Sequence, residues 1–169
     1  DCDSRIMVDV KGLSAVAGDD PEPEYVDINS RNEIAVTLQE NNHIVLINGN
    51  DGKVIGHFSA GAVDLTGIDT KSDGAITFAG EKKAVAREPD TIQWLDDDRL
   101  LVANEGDYKG GSRSFTIFAR SGEVLHEPGT DFEQRAAQAG HYPDKRSKSK
   151  GIEPEGAEVK SFGDTNYMF

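Results

Sequence analysis

Carboxylates are the side chains of this chain whose spacing could do chemistry, because they return in phase. The phrases Glu22-Pro23-Glu24, Glu88-Pro89-Asp90 and Glu153-Pro154-Glu155 recur at a period of about 65 residues. The first two are each followed by an acidic turn, Gln39-Glu40-Asn41-Asn42 and Asn104-Glu105-Gly106-Asp107. Carboxylates gathered around a narrow space repel one another, so they take up protons or demand a cation. Hard oxygen donors suit Mn²⁺, Mg²⁺ or Ca²⁺, whereas zinc prefers His and Cys. One or two such metals would activate a water and steady a negatively charged transition state. The expected metal ligands are Glu24, Asp90 and Glu155, with Glu153, Glu40 and Glu105 next. Glu22 and Glu88 precede their prolines and are read as pointing outward. A single Glu-Pro phrase is ordinary turn chemistry; the metal reading rests on three copies in phase.

A basic loop at 141–150 lies just ahead of the third phrase. Its Lys150 and Arg146 could neutralise a phosphate oxygen, and His141 could serve as a ligand or acid/base group. The plainer reading of Lys145, Arg146, Lys148 and Lys150 is a solvated loop. His43, His57 and His126 fall within strand-like stretches and are read as ordinary half-buried side chains, and Trp94 as core. No Gly-x-Ser-x-Gly elbow, zinc spacing or EF-hand pattern is present.

The elements that must position these residues are short strands. Residues 24–29, 33–38, 43–48 and 53–59 alternate and are separated by polar turns, with Gly49-Asn50-Asp51-Gly52 the strongest hairpin signal. The plan returns at 91–95, 99–103, 113–119 and 123–126, and begins again at 157–161 and 165–169. Residues 5–10 read as the last strand of a preceding unit. Two insertions lengthen the period: 60–86, with a short strand at 75–78, and 128–152, with a helix at 132–139 capped by Asp131 and ended by Gly140. Four-stranded meanders in series predict an all-β chain, a sector of two to three blades of a seven-bladed β-propeller. The expected divisions are 1–20, the end of one blade; 21–86, a blade with insertion; 87–150, a blade with helix and basic loop; and 151–169, the start of another. Alternating turns place the phrases and the acidic turns at one end of such a sector.

Composition narrows the partners. Thirty-one acidic against 18 basic residues leave a net charge of −13, which repels nucleic acid and attracts cations. No apolar run is long enough to span a bilayer as a helix, and the lone cysteine, Cys2, has no internal disulfide partner.

Several segments together resemble a known family. They are Glu22-Pro23-Glu24-Tyr25, Val36-Thr37-Leu38-Gln39-Glu40-Asn41-Asn42, Leu101-Val102-Ala103-Asn104-Glu105-Gly106-Asp107, Ser112-Arg113-Ser114-Phe115-Thr116-Ile117-Phe118, Asp131-Phe132-Glu133-Gln134 and Gly151-Ile152-Glu153-Pro154-Glu155-Gly156. In this order they resemble the secreted bacterial β-propellers known as phytase-like esterases or choice-of-anchor proteins. His141-Tyr142-Pro143-Asp144-Lys145-Arg146 resembles the sphingomonad-type branch that contains haloalkyl-phosphate phosphotriesterase. The resemblance implies a periplasmic or secreted, metal-dependent phosphoesterase with a binuclear manganese centre, Ca²⁺ being the alternative. It also implies a small phosphate-ester substrate, and remaining blades supplied by another fragment or a missing part of the chain. The rival expectation is a non-enzymatic, Ca²⁺-binding extracellular propeller that serves as a scaffold.

Overall fold

A computed structural model describes residues 4–169; the expectation concerning Cys2 lies outside them. The first meander forms where hydrophobic alternation places it. Strands β1 (Pro23–Ile28), β2 (Glu33–Leu38), β3 (His43–Asn48) and β4 (Val54–Ser59) pair in sequence order as one antiparallel sheet. A second hairpin unit, β5 (Ala62–Ile68) with β6 (Gly80–Ala86), stands as its own two-stranded sheet. β7 (Ile92–Asp96), β8 (Arg99–Asn104), β9 (Ser114–Ala119) and β10 (Val124–His126) form another four-stranded meander. Helix α1 (Asp131–Gln138) and a 3-10 turn (Asp144–Arg146) follow, then a terminal hairpin, β11 (Val159–Phe162) with β12 (Thr165–Met168).

The expectation of a propeller sector is corrected here. The described residues form four separate antiparallel sheets, none closed or curled into a ring. The meander signals are local: alternation and turn residues specify a hairpin, while the arrangement of sheets depends on side-chain packing between them. The segment 60–86 also differs from expectation. Expected as a loop with a strand at 75–78, it is a hairpin of two seven-residue strands, and 75–78 is not a strand. Residues 5–10 likewise form no strand.

One core joins the two larger sheets. Ala35, Ile44 and Leu46 of the first pack with Ile92, Trp94, Leu100, Val102 and Phe118 of the second. The opposite face of the first sheet, with Leu38, Val45 and Ile47, is covered by Val8, Val10 and Leu13. β3 is therefore buried on both faces, as its unbroken run Ile44-Val45-Leu46-Ile47 requires. Polar contacts fix the sheets' relation. Arg120 donates to both carboxylate oxygens of Glu33 at 3.0 and 2.7 Å, and the backbone N–H of Trp94 donates to Asp27 Oδ2 at 2.7 Å.

Candidate carboxylate rim

Polar side chains hold the backbone of all three phrases, and the first two meet the turn at 39–42. The Glu22 N–H donates to Asn41 Oδ1 and the Glu88 N–H to Asn42 Oδ1, each at 2.9 Å. The Thr37 hydroxyl donates to the Asp90 carbonyl and the Thr91 hydroxyl to the Glu155 carbonyl, each at 2.6 Å. The short polar side chains of one repeat thus hold the backbone of the next phrase, which lines up residues 24, 90 and 155.

Asp90 is the centre of this line. It is half-buried, and its carboxyl is pushed up to about 6, by burial first and then by the charges of Glu105, Glu155 and Glu24. Among the described residues no basic side chain pairs with Glu24, Asp90 or Glu155. Glu40 belongs to a neighbouring acidic group. Its carboxyl is raised by burial and then by Glu22, Asp107, Glu88 and Asp20.

The remaining expected residues are engaged with one another. Arg146 and Lys150 both grip Glu153: Arg146 Nε donates to it at 2.5 Å, and Lys150 Nζ lies 3.4 Å away. Arg146 holds the Glu153 carboxyl below the usual carboxylate range; burial opposes this and Lys150 adds to it. Lys150 also reaches Asp107 at 3.0 Å and Glu105 at 3.5 Å, where Gln39 Nε2 donates at 2.7 Å. Burial pulls the Lys150 ammonium down, but these three carboxylates outweigh it and raise it. His141 stands apart: it is exposed, and its ring has no hydrogen-bond partner among the described residues.

Two features were missed from sequence. Glu88, read as pointing outward, is 2% exposed and accepts three backbone N–H bonds at 2.8 Å, from Asp107, Tyr108 and Lys109. Arg113 and Glu133 form a fully buried ion pair at 3.0 Å, and Arg113 also donates to the carbonyls of Asp69 and Ser147. The Ser147 hydroxyl reaches Asp69 and Tyr142, so this knot ties α1, the basic loop and the β5–β6 hairpin together. A lone arginine in an otherwise apolar strand and a glutamate on the inward side of a short helix were the available signals. The histidines also differ from expectation: His43 is buried and lies 2.9 Å from His57, while His57 and His126 are exposed.

Fold and rim together define a chain of antiparallel sheets whose acidic edge carries carboxylates with no basic partner among the described residues. A family model for the Choice-of-anchor I domain matches residues 4–110 and 108–169, and the chain belongs to that family. No curated protein matches it.

These findings correct the remaining expectations. The family match supports the choice-of-anchor resemblance alone, and neither it nor the sheet arrangement supports a phytase-like esterase or a phosphotriesterase. The donor set has the hard oxygen chemistry that Ca²⁺ or Mn²⁺ prefers. Yet among the described residues no three His, Cys, Asp or Glu side chains stand close enough to enclose a metal ion. Metal-activated hydrolysis of phosphate esters therefore has no support, nor does an extracellular propeller scaffold. The two basic groups expected to receive a phosphate ester, Lys150 and Arg146, are paired with carboxylates. Nothing points to missing blades as partners. Among the described residues no helix is long and apolar enough to cross a membrane.

Proposed function

We propose that the chain is a binding module whose rim at Glu24, Asp90 and Glu155 takes up a positively charged group, a hydrated divalent cation being the simplest. The observation that carries this reading is Asp90: half-buried, raised to about 6 by burial and then by three other carboxylates, and with no basic partner among the described residues. Below about pH 6 such a group holds a proton; above it the carboxylate is negative, and the charges around it attract a cation. Among the described residues no set encloses an ion, so a bound cation would keep its waters and be held through water-mediated bonds. The internal precedent is Lys150, an ammonium already accommodated by Glu105, Asp107 and Glu153 on the adjoining stretch.

Calorimetric titration of the chain with Ca²⁺ and with Mn²⁺ tests this at pH 7.5 and pH 5. Binding at pH 7.5 that weakens at pH 5, and that Asp90→Asn and Glu155→Gln each reduce, is expected. Equal heats for the chain and Asp90→Asn would overturn the assignment.

A further inference from the structure

In the second and third phrases the glutamate ahead of the proline stands in the left-handed region, with φ 48° at Glu88 and 47° at Glu153. A side chain disfavours that region, and a following proline restricts the backbone further. Strain repeated at matching positions marks a constraint, and what the two carboxylates hold supplies it. Glu153 holds Arg146 and Lys150; Glu88 holds backbone. We propose that Glu88 is a built-in anion whose carboxylate fills a nest of three N–H groups at Asp107, Tyr108 and Lys109, and so positions Glu105 and Asp107 on the stretch adjoining the rim.

Consecutive N–H groups turned toward one point attract a negative charge, and charge-assisted bonds of this kind are the stronger class. The surrounding loop is shaped around that occupant. A Cβ on Gly110 would come within 2.3 Å of the Ala86 carbonyl and 2.9 Å of the Glu88 carboxyl carbon. The Gly106 N–H donates to the Glu88 carbonyl at 3.2 Å, and the Gly111 N–H to the Ala86 carbonyl at 2.9 Å, so both ends of the loop close on the stretch 86–88. Downstream of this anchor, Glu105 and Asp107 hold Lys150. With the nest empty the loop loses its fixed shape, and Lys150 loses two of its three carboxylates. Glu88 is thus a positioning residue for the rim, and the nest is an anion site specific for a carboxylate-sized group. The consequence for cation uptake rests on the proposed function above; the nest does not.

Amide hydrogen exchange followed by NMR tests both. In Glu88→Ala the amides of Asp107, Tyr108 and Lys109 are expected to exchange about tenfold to a hundredfold faster, the loss of bonds to a charged acceptor. Sodium formate should restore protection in that variant, and sodium chloride should not. Glu88→Gln retains one acceptor oxygen, so either Lys109 or the pair Asp107 and Tyr108 loses protection selectively. This second variant decides the matter should Glu88→Ala fail to fold. Wild-type protection at all three amides in either folded variant would overturn the proposal. Calcium titration of Glu88→Gln is expected to show affinity about tenfold lower, as for groups that orient a binding shell. Should the wild-type chain bind no cation, the cation reading fails, and the amides alone decide the role of Glu88.

Discussion

Asp90 and His43 titrate in the same range with opposite effects. Asp90 stands at about 6 in the folded chain against an ordinary 3.8, so the folded state keeps a proton that the unfolded state releases. Its contribution is most favourable below the ordinary value and is lost as pH rises through about 6. Asp90→Asn should therefore raise thermal stability at pH 7 by on the order of 1 kcal/mol, after allowing for solvent screening, and change nothing near pH 3. His43 is held down to about 4 by burial and then by His57, so here the unfolded state takes the extra proton. That contribution is full above 6.5 and is lost as pH falls toward about 4. His43→Gln should flatten the acid limb of a melting-temperature profile between pH 6.5 and 4; an unchanged limb would remove His43 from the account. At this scale the place of Asp90 in the repeat was legible from its phrase. Glu88 was not, because its partners are backbone amides that carry no residue signature.

Among the elements, α1 owes its position to a buried charge pair. Burial drives the Glu133 carboxyl up against the pull of Arg113, so the pair persists because each member would otherwise be stranded. Glu133→Ala should cost about 3–5 kcal/mol in chemical denaturation, since it leaves Arg113 unpaired. The double variant Arg113→Met, Glu133→Leu should recover much of that loss, and a double variant no more stable than Glu133→Ala would contradict the argument. Gly151 has the same neighbour. At φ 63° its added Cβ would stand 2.0 Å from Glu133 Oε1, so Gly151→Ala should destabilise the loop by about 1–3 kcal/mol. The helix itself was expected from Asp131 as its cap and Gly140 as its stop, yet Asp131 is its first residue, the N-cap position is Thr130, and no side chain caps it. What it clamps was not readable, because Arg113, Asp69 and Ser147 come from three distant segments.

At the scale of the molecule the two larger sheets share one core and should unfold as one. Leu46, 1% exposed, contributes to that core from the first sheet. Leu46→Ala should cost about 2–5 kcal/mol. It should lower the melting of both sheets in a single transition, read by Trp94 fluorescence for the second sheet and by amide exchange at β3 for the first. Two separated transitions would show that the sheets are independent.

The sequence alone determined the strands of the two four-stranded meanders and of the last hairpin, most of their turns and the in-phase carboxylates, since alternation and turn chemistry act over a few residues. It placed Glu24, Asp90 and Glu155 at equivalent points of a repeat. Only the tertiary structure decided how the sheets stand to one another, that 60–86 forms its own hairpin, and which carboxylates remain without partners. Those outcomes depend on contacts between distant segments. Lys150 and Arg146 could have faced solvent or a ligand; packing turned them onto Glu105, Asp107 and Glu153, and left Asp90 exposed to repulsion from its own kind.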